Sequence, residues 1–399
     1  MRCAQAVEIE TIASDLRSEC PVCCGRELLP SVTFEAIPVL CNALHSSAAS
    51  ARTAETGRFC GAFCRRCTHF FNAAFEEQRI GYTQSYENSL HFSPRFVAFV
   101  EALAGRLSNS YALAGKTVID VGCGKGDFLK RLCALSGATG IGFDKSFEED
   151  RGALVPQVRF VRDWFDDRYA DLRPDLVSCR HVIEHIADPI AFLRALRAHP
   201  GIGPETIFYF EVPNALYTLR ELGIWDLIYE HVSYFTAHSL RIAVEAAGFD
   251  VLSAGSSFGD QYLFIEARAG RVHPLAEAAE SEECALLVRK FEGLHRDKVT
   301  HWQNFLSKHN LERVVVWGAG SKGVTFVNAV PLAAKIGALV DVNTYKQGRF
   351  APGTGTPVLS PESLRGCLVE AIIIVNPIYR HEIARIANAI GLAPEIVVA

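Results

Sequence analysis

The chain has 399 residues, 49% of them hydrophobic and 21% charged, with a formal net charge of −5. Its length exceeds one ordinary core and predicts two or three domains. The composition excludes extensive disorder, and the acidic balance supplies no basic field to draw in nucleic acid.

The opening MRCAQAVEIETIASDL lacks the apolar stretch of a signal peptide, and no apolar run reaches the roughly 18–20 residues of a membrane span. A soluble, cytoplasmic protein with neither membrane nor nucleic-acid partners is expected. Thirteen cysteines in such a chain argue against a disulfide framework and for buried thiols with a metal site. Cys20 and Cys23 form one CxxC pair and Cys64 and Cys67 another. A two-residue gap lets both thiolates of a pair face one ion, and two such knuckles complete a tetrahedral shell that suits structural zinc. The intervening stretch calls for an inserted hairpin or loop. Cys24 and Cys60 are adjacent spares, and four buried free thiols are the alternative reading.

From 116 to 268, strand-like runs (TVIDV, GIGFD, VRFV, DLVSCR, TIFYFEV, FDVLSAG, QYLFIEAR) alternate with amphipathic ones. The pattern predicts a doubly wound α/β sheet, with ligands beyond the carboxyl ends of the strands. In VIDVGCGKGDFL, Asp120 ends a strand and Gly122, Gly124 and Gly126 follow at alternate positions, so backbone can approach a ligand closely. Asp144, which closes the next strand, is placed to accept ribose hydroxyls. The acid two residues before the first glycine, D-x-G-x-G-x-G, resembles motif I of the class I S-adenosylmethionine-dependent methyltransferases. That resemblance places Asp163 at the adenine amino group and Trp164 over its face.

HVIEH at 181–185 also fits the inverted zinc-peptidase signature, whose ligands project from one helix. His181 instead directly follows the fourth strand, so His181, Glu184 and His185 are expected to line the donor pocket or cap the next helix. After the fifth strand comes a long aromatic insertion in which Tyr229, Glu230, His231 and Tyr234 cluster. A histidine there can take a proton near neutrality; the alternative is a packing or capping histidine.

Residues 273–310 read as one or two bridging helices. RVVVWGAGSKG at 313–323 then offers a second glycine loop, with Gly318, Gly320, Gly323 and, further on, Asp341. Alone it suggests NAD, yet the remaining unit of about 90 residues is short for a dinucleotide domain of two halves.

Taken together, the double CxxC, YENSLHFSP at 86–94, DVGCGKGDFL, EHVSYF and DVNTYKQGRFAPGTGTPVLSPESL at 341–364 resemble the three-domain sugar C-methyltransferases of deoxysugar pathways. The resemblance implies a zinc-binding module over 1–80, a methyltransferase core over 81–270, a helical linker over 271–310 and a smaller Rossmann-like α/β domain over 311–399. It further implies S-adenosylmethionine and structural zinc as cofactors and a nucleotide-linked keto-sugar as substrate, in a monomer or homodimer. Among residues, it implies His231 as general base supported by Glu230 and Tyr229, Tyr86 near the donor, and no nicotinamide at the second loop. Two departures stand out: SSFGDQYLFIEA replaces a His-Gly-Gly element, and the spacing around 229–231 is one residue short. They leave the acceptor, and whether carbon, oxygen or nitrogen is methylated, open.

Overall fold

The computed structural model describes residues 16–149, 155–274 and 281–399. The signal-peptide reading of residues 1–16 falls almost wholly outside them. In chain order, β1 (Leu28–Pro38), β2 (Thr56–Cys64) and β3 (Phe70–Asn72) come first. The central unit follows with β4 (Thr117–Val121), β5 (Thr139–Phe143), β6 (Val158–Val161), β7 (Leu176–Arg180), β8 (Ile207–Pro213), β9 (Ser233–Tyr234), β10 (Phe249–Ser257) and β11 (Tyr262–Ala269). The last unit holds β12 (Val314–Trp317), β13 (Ala338–Val340), β14 (Val358–Leu359), β15 (Ala371–Ile374) and β16 (Glu395–Val398).

The central sheet runs β10-β11-β8-β7-β4-β5-β6, parallel except for β11, which is antiparallel to both neighbours. This is the mixed sheet of a class I methyltransferase Rossmann fold, and its strands fall within a residue or two of the expected ones. Helices cover both faces, so β4 reads as a continuous apolar run, interrupted only by Asp120 near its end. The order reverses between β4 and β7, which opens a crevice at their carboxyl ends.

The helix Pro94–Tyr111 shows how local sequence and tertiary contact combine. Ser93 caps it by accepting from the Phe96 amide, Pro94 sits in the first turn where no donor is needed, and Ala112 ends it in the left-handed region. Its buried residues Phe96, Val100, Leu103, Ala104 and Leu107 recur at helical spacing and form one face. Glu382, from the carboxyl-terminal helix Arg380–Ala389, adds a second cap by accepting from Ser93 Oγ at 2.8 Å and the Arg95 amide at 3.1 Å.

A four-stranded antiparallel sheet, β1-β2-β3-β9, joins the amino-terminal residues to the core. β1 and β2 form the hairpin between the two knuckles. β9 comes from the long insertion, so residues 1–80 do not complete that sheet alone. The five parallel strands β14-β13-β12-β15-β16 make the smaller carboxyl-terminal sheet. One apolar cluster runs through Phe59 and Phe70 near the amino terminus, Trp225 of the insertion, Trp302 of the helix Ser281–Leu306 and Phe326 beyond β12. The three units therefore share a core. No helix among the described residues is long and apolar enough to cross a membrane.

Candidate active site

The four cysteines meet in a buried cluster. Cys20 and Cys67 Sγ lie 3.5 Å apart and Cys23 and Cys64 Sγ 3.4 Å apart, with all four sulfurs within 4.8 Å of one another. Zn–S bonds of about 2.3 Å give a tetrahedron of about 3.8 Å edge, so the donor set and its dimensions fit zinc and leave no coordination position open. Each knuckle turns through a left-handed residue, Cys24 at φ 55° and Thr68 at φ 59°, whose amides donate to Cys20 and Cys64 carbonyls. Cys24 is exposed and lies outside the cluster.

From the second knuckle the chain passes into β3, which pairs with β9: Phe70 faces Tyr234 and Phe71 faces Ser233. The Asn72 amide donates to Val232 O at 2.9 Å, and the Thr68 and Thr236 hydroxyls meet at 2.7 Å. The sheet of the cysteine module thereby holds both sides of the segment that follows His231.

At the crevice, Gly122, Gly124 and Gly126 adopt φ of 68°, 56° and 80°. A Cβ on Gly122 would stand 2.3 Å from Val182, and one on Gly126 the same distance from Phe160, whereas one on Gly124 would meet only Asn88, at 3.5 Å. The loop is thus pinned at both ends and open in its middle. Asp144 accepts from the Gly124 amide at 2.8 Å and from the Ser146 amide and hydroxyl at 2.6 and 2.7 Å. Asp120 is buried beneath the loop; burial lifts its carboxyl to about 6 against the opposing Ser178 hydroxyl, which donates at 2.6 Å. Asp163 and Trp164 lie on the outer side: Asp163 pairs with Arg168 at 2.6 Å, and Trp164 is exposed with Lys145 over its ring.

The segment after β7 meets the insertion. His181 takes a left-handed φ of 54° and stands 3.2 Å from Glu211 and 3.5 Å from Glu184. Burial opposes its charge, but the two carboxylates outweigh that and raise it to about 9. His185 lies edge-on to His231 with ring centroids 4.7 Å apart. Burial and the neighbouring His185 push His231 well below the ordinary histidine range. Among the described residues, neither of its ring nitrogens is hydrogen-bonded. Glu230 is fully buried, accepting from Tyr86 Oη at 2.5 Å and the Cys41 amide at 2.9 Å, and burial raises its carboxyl. Tyr229 turns away: its hydroxyl accepts from the Glu76 amide at 2.9 Å, and its ring fills the space beside Gly57.

A family model described as a methyltransferase domain matches residues 93–254, and one described as a C-methyltransferase C-terminal domain matches residues 281–393. The chain is a methyltransferase built on the class I fold. The C-methyltransferase NovU of Streptomyces niveus is 26% identical over 294 residues, which cover 67% of this methyltransferase and 68% of that one. The ubiquinone biosynthesis O-methyltransferase of Citrobacter koseri is 35% identical over 107 residues, 25% of this chain and 44% of its own. This methyltransferase therefore spans less than half the length of that relative. The solved SAM dependent methyltransferase of Aquifex aeolicus aligns over 44% of this chain and 94% of its own at 17% identity, with a TM-score of 0.34.

The methyltransferase brings together residues that sequence reasoning passed over. Tyr82 Oη lies 2.8 Å from His185 Nδ1, which also meets the Glu230 carbonyl oxygen at 2.9 Å. Tyr82 stands four residues before Tyr86 in the same aromatic run, and that repeat was the available signal. Lys346 and Asn343 sit in the 341–364 motif that carried the family resemblance. Lys346 Nζ donates to Asn42 Oδ1 and Ala319 O, both at 3.2 Å, and the Asn343 amide donates to Glu87 at 2.9 Å.

Proposed function

We propose that this methyltransferase transfers a methyl group to a carbon of a nucleotide-linked keto-sugar, with His231 as the general base. The observation that carries the reading is the His231 imidazole, held at the carboxyl edge with its ring edge-on to His185 and, among the described residues, with neither nitrogen hydrogen-bonded. The match of the last third of the chain to a C-methyltransferase domain and the likeness to the C-methyltransferase NovU support carbon as the acceptor atom, and the sugar is what the resemblance of the sequence motifs implies.

In this reading Gly122, Gly124 and Gly126 give close backbone approach, Asp120 backs the loop, Asp144 receives ribose hydroxyls, and His181 closes the donor pocket. Asp163 and Trp164 serve the adenine edge and face. S-adenosylmethionine supplies an electrophilic methyl on a sulfonium centre. His231 would take the proton from the carbon beside the acceptor's ketone, and that carbon would bond the methyl group as its bond to the donor's sulfur breaks, which releases S-adenosylhomocysteine. Glu230 fixes the segment through Tyr86 and Cys41, while Tyr229 anchors it to the Glu76 backbone. The four cysteines hold a structural zinc ion whose sheet carries β9 and so steadies His231.

Methylation of oxygen is the second reading, favoured by the identity to the O-methyltransferase over a quarter of the chain; His231 would then take a hydroxyl proton. Nucleotide-linked keto-sugars incubated with deuterated donor decide between them. A label retained after hydrolysis as a carbon-bound methyl is expected, and an acid-labile or ether-linked label overturns the carbon assignment.

A further inference from the structure

We infer that Glu184, His185 and His231 form a binding site for one divalent transition-metal ion, separate from the four cysteines. A carboxylate oxygen of Glu184 and one ring nitrogen of each histidine lie within 4.8 Å of one another. Glu184 is 1% exposed, and neither of its oxygens has a hydrogen-bond partner. A carboxylate is among the costliest groups to bury unpaired, and structures compensate it with hydrogen bonds, a cation or a metal. The His181 ring offsets part of that cost as an ion-pair partner at 3.5 Å, but no hydrogen bond reaches either oxygen, so the carboxylate keeps bonding capacity for a cation.

The histidines are arranged to match. His185 Nδ1 meets the Glu230 carbonyl oxygen at 2.9 Å, the outer-shell bond that orients a ligating imidazole and leaves Nε2 for an ion. His231 has no hydrogen bond among the described residues, so its lone pair is available. The short 3₁₀ turn Ile183–His185 presents Glu184 and His185, while the end of the insertion presents His231 across from them. Two imidazoles and one carboxylate suit a first-row divalent ion and leave positions open, unlike the closed thiolate shell. An ion held there takes the lone pair that would accept the acceptor's proton, so occupancy and proton removal exclude each other. That consequence, unlike the site itself, rests on the base role proposed above.

The test uses the full-length protein with zinc retained on its cysteines, titrated with Co²⁺ and followed by calorimetry and visible absorption. One further equivalent is expected, with ligand-field bands but no thiolate charge transfer. In Glu184→Gln its affinity should fall by more than about 100-fold, the upper range for loss of even an outer-shell partner. Circular dichroism and donor affinity check that the variant folds, and His231→Ala replaces it if it does not. Absence of the second equivalent, or its persistence in the folded variant, overturns the site. In the same samples Co²⁺ should inhibit methyl transfer reversibly on chelation. Stimulation by a stoichiometric second Co²⁺ would overturn the base role of His231 and leave the metal site standing.

Discussion

The two glycine loops begin alike and end differently. Each follows the first strand of a parallel sheet, and in each the acid closing the next strand accepts a loop amide: Gly124 to Asp144 at 2.8 Å, Ala319 to Asp341 at 2.7 Å. The first loop then takes three left-handed glycines, which keep its middle open. In the second only Gly318 is left-handed, at 112°, and Gly320 is extended. Lys346 and Asn42 stand over it, and Lys322 of the following helix is drawn into an ion pair with Asp226 of the insertion. The two middle glycines have neighbours at similar distance, Asn88 at 3.5 Å from a Cβ on Gly124 and Lys346 at 3.6 Å from one on Gly320, so the loops differ less in space than in what stands there: a neutral amide over the first, and over the second an ammonium already bonded to the loop's own Ala319 carbonyl.

The largest effect should come from Gly124→Asp, which puts a carboxylate into the open middle of the first loop and forces a left-handed residue. Calorimetry with S-adenosylhomocysteine is expected to lose all measurable heat. Gly320→Ala serves as the counterpart: its Cβ would stand no closer than 3.6 Å from Lys346 Nζ, and donor affinity should stay within about twofold. Equal losses in both variants would erase the distinction between the loops.

Removing the base should separate binding from chemistry at the first loop. His231→Ala is expected to lower turnover about 10²–10⁴-fold, the usual contribution of a positioned base, with donor affinity unchanged by calorimetry. Unchanged turnover would remove His231 from the mechanism.

Asp120 gives a pH signature peculiar to the first loop. Its carboxyl is raised from 3.8 to about 6 by burial, so its contribution to the stability of the donor-free protein is complete below pH 3.8 and is lost as the pH rises through about 6. Asp120→Asn, which mimics the protonated acid, removes the cost of ionising a buried carboxyl and should stabilise the donor-free protein at pH 7.5 by up to about 3 kcal/mol. No gain is expected below pH 3.8, and urea unfolding at the two pH values measures the difference.

The smallest effect falls on the second loop. Lys346→Met leaves Ala319 O and Asn42 without their donor and should cost about 1–3 kcal/mol in urea unfolding. Titration of that variant with NAD should still give no heat; binding would mean that the ammonium alone had been blocking a nucleotide site.

Much of this was legible from local pattern. The CxxC spacing located the four cysteines that cluster because two residues between cysteines fix a knuckle whatever surrounds it. The alternation of strands and helices, the three glycines and Asp144 located the crevice because each depends on conformation within one βα unit. One or two bridging helices were likewise expected over 273–310, and the described residues there hold the helix Ser281–Leu306. Other features had no local signal. Nothing in EHVSYF says that Ser233 and Tyr234 pair with a strand of the cysteine module, that Tyr229 reaches Glu76, or that Tyr82 reaches His185.

Sequence by itself determined the kinds of element, their order and the residues able to bend sharply or bind metal, since these follow from backbone sterics and spacing over a few residues. Tertiary structure decided what stands over each glycine loop, which side chains surround His231, and that Glu184 is buried with the His181 ring 3.5 Å away and no hydrogen bond to either oxygen. Those outcomes join segments 45 to 304 residues apart, as from His185 to Glu230 and from Asn42 to Lys346. Only the burial of a shared core brings such segments together, and no local preference encodes it.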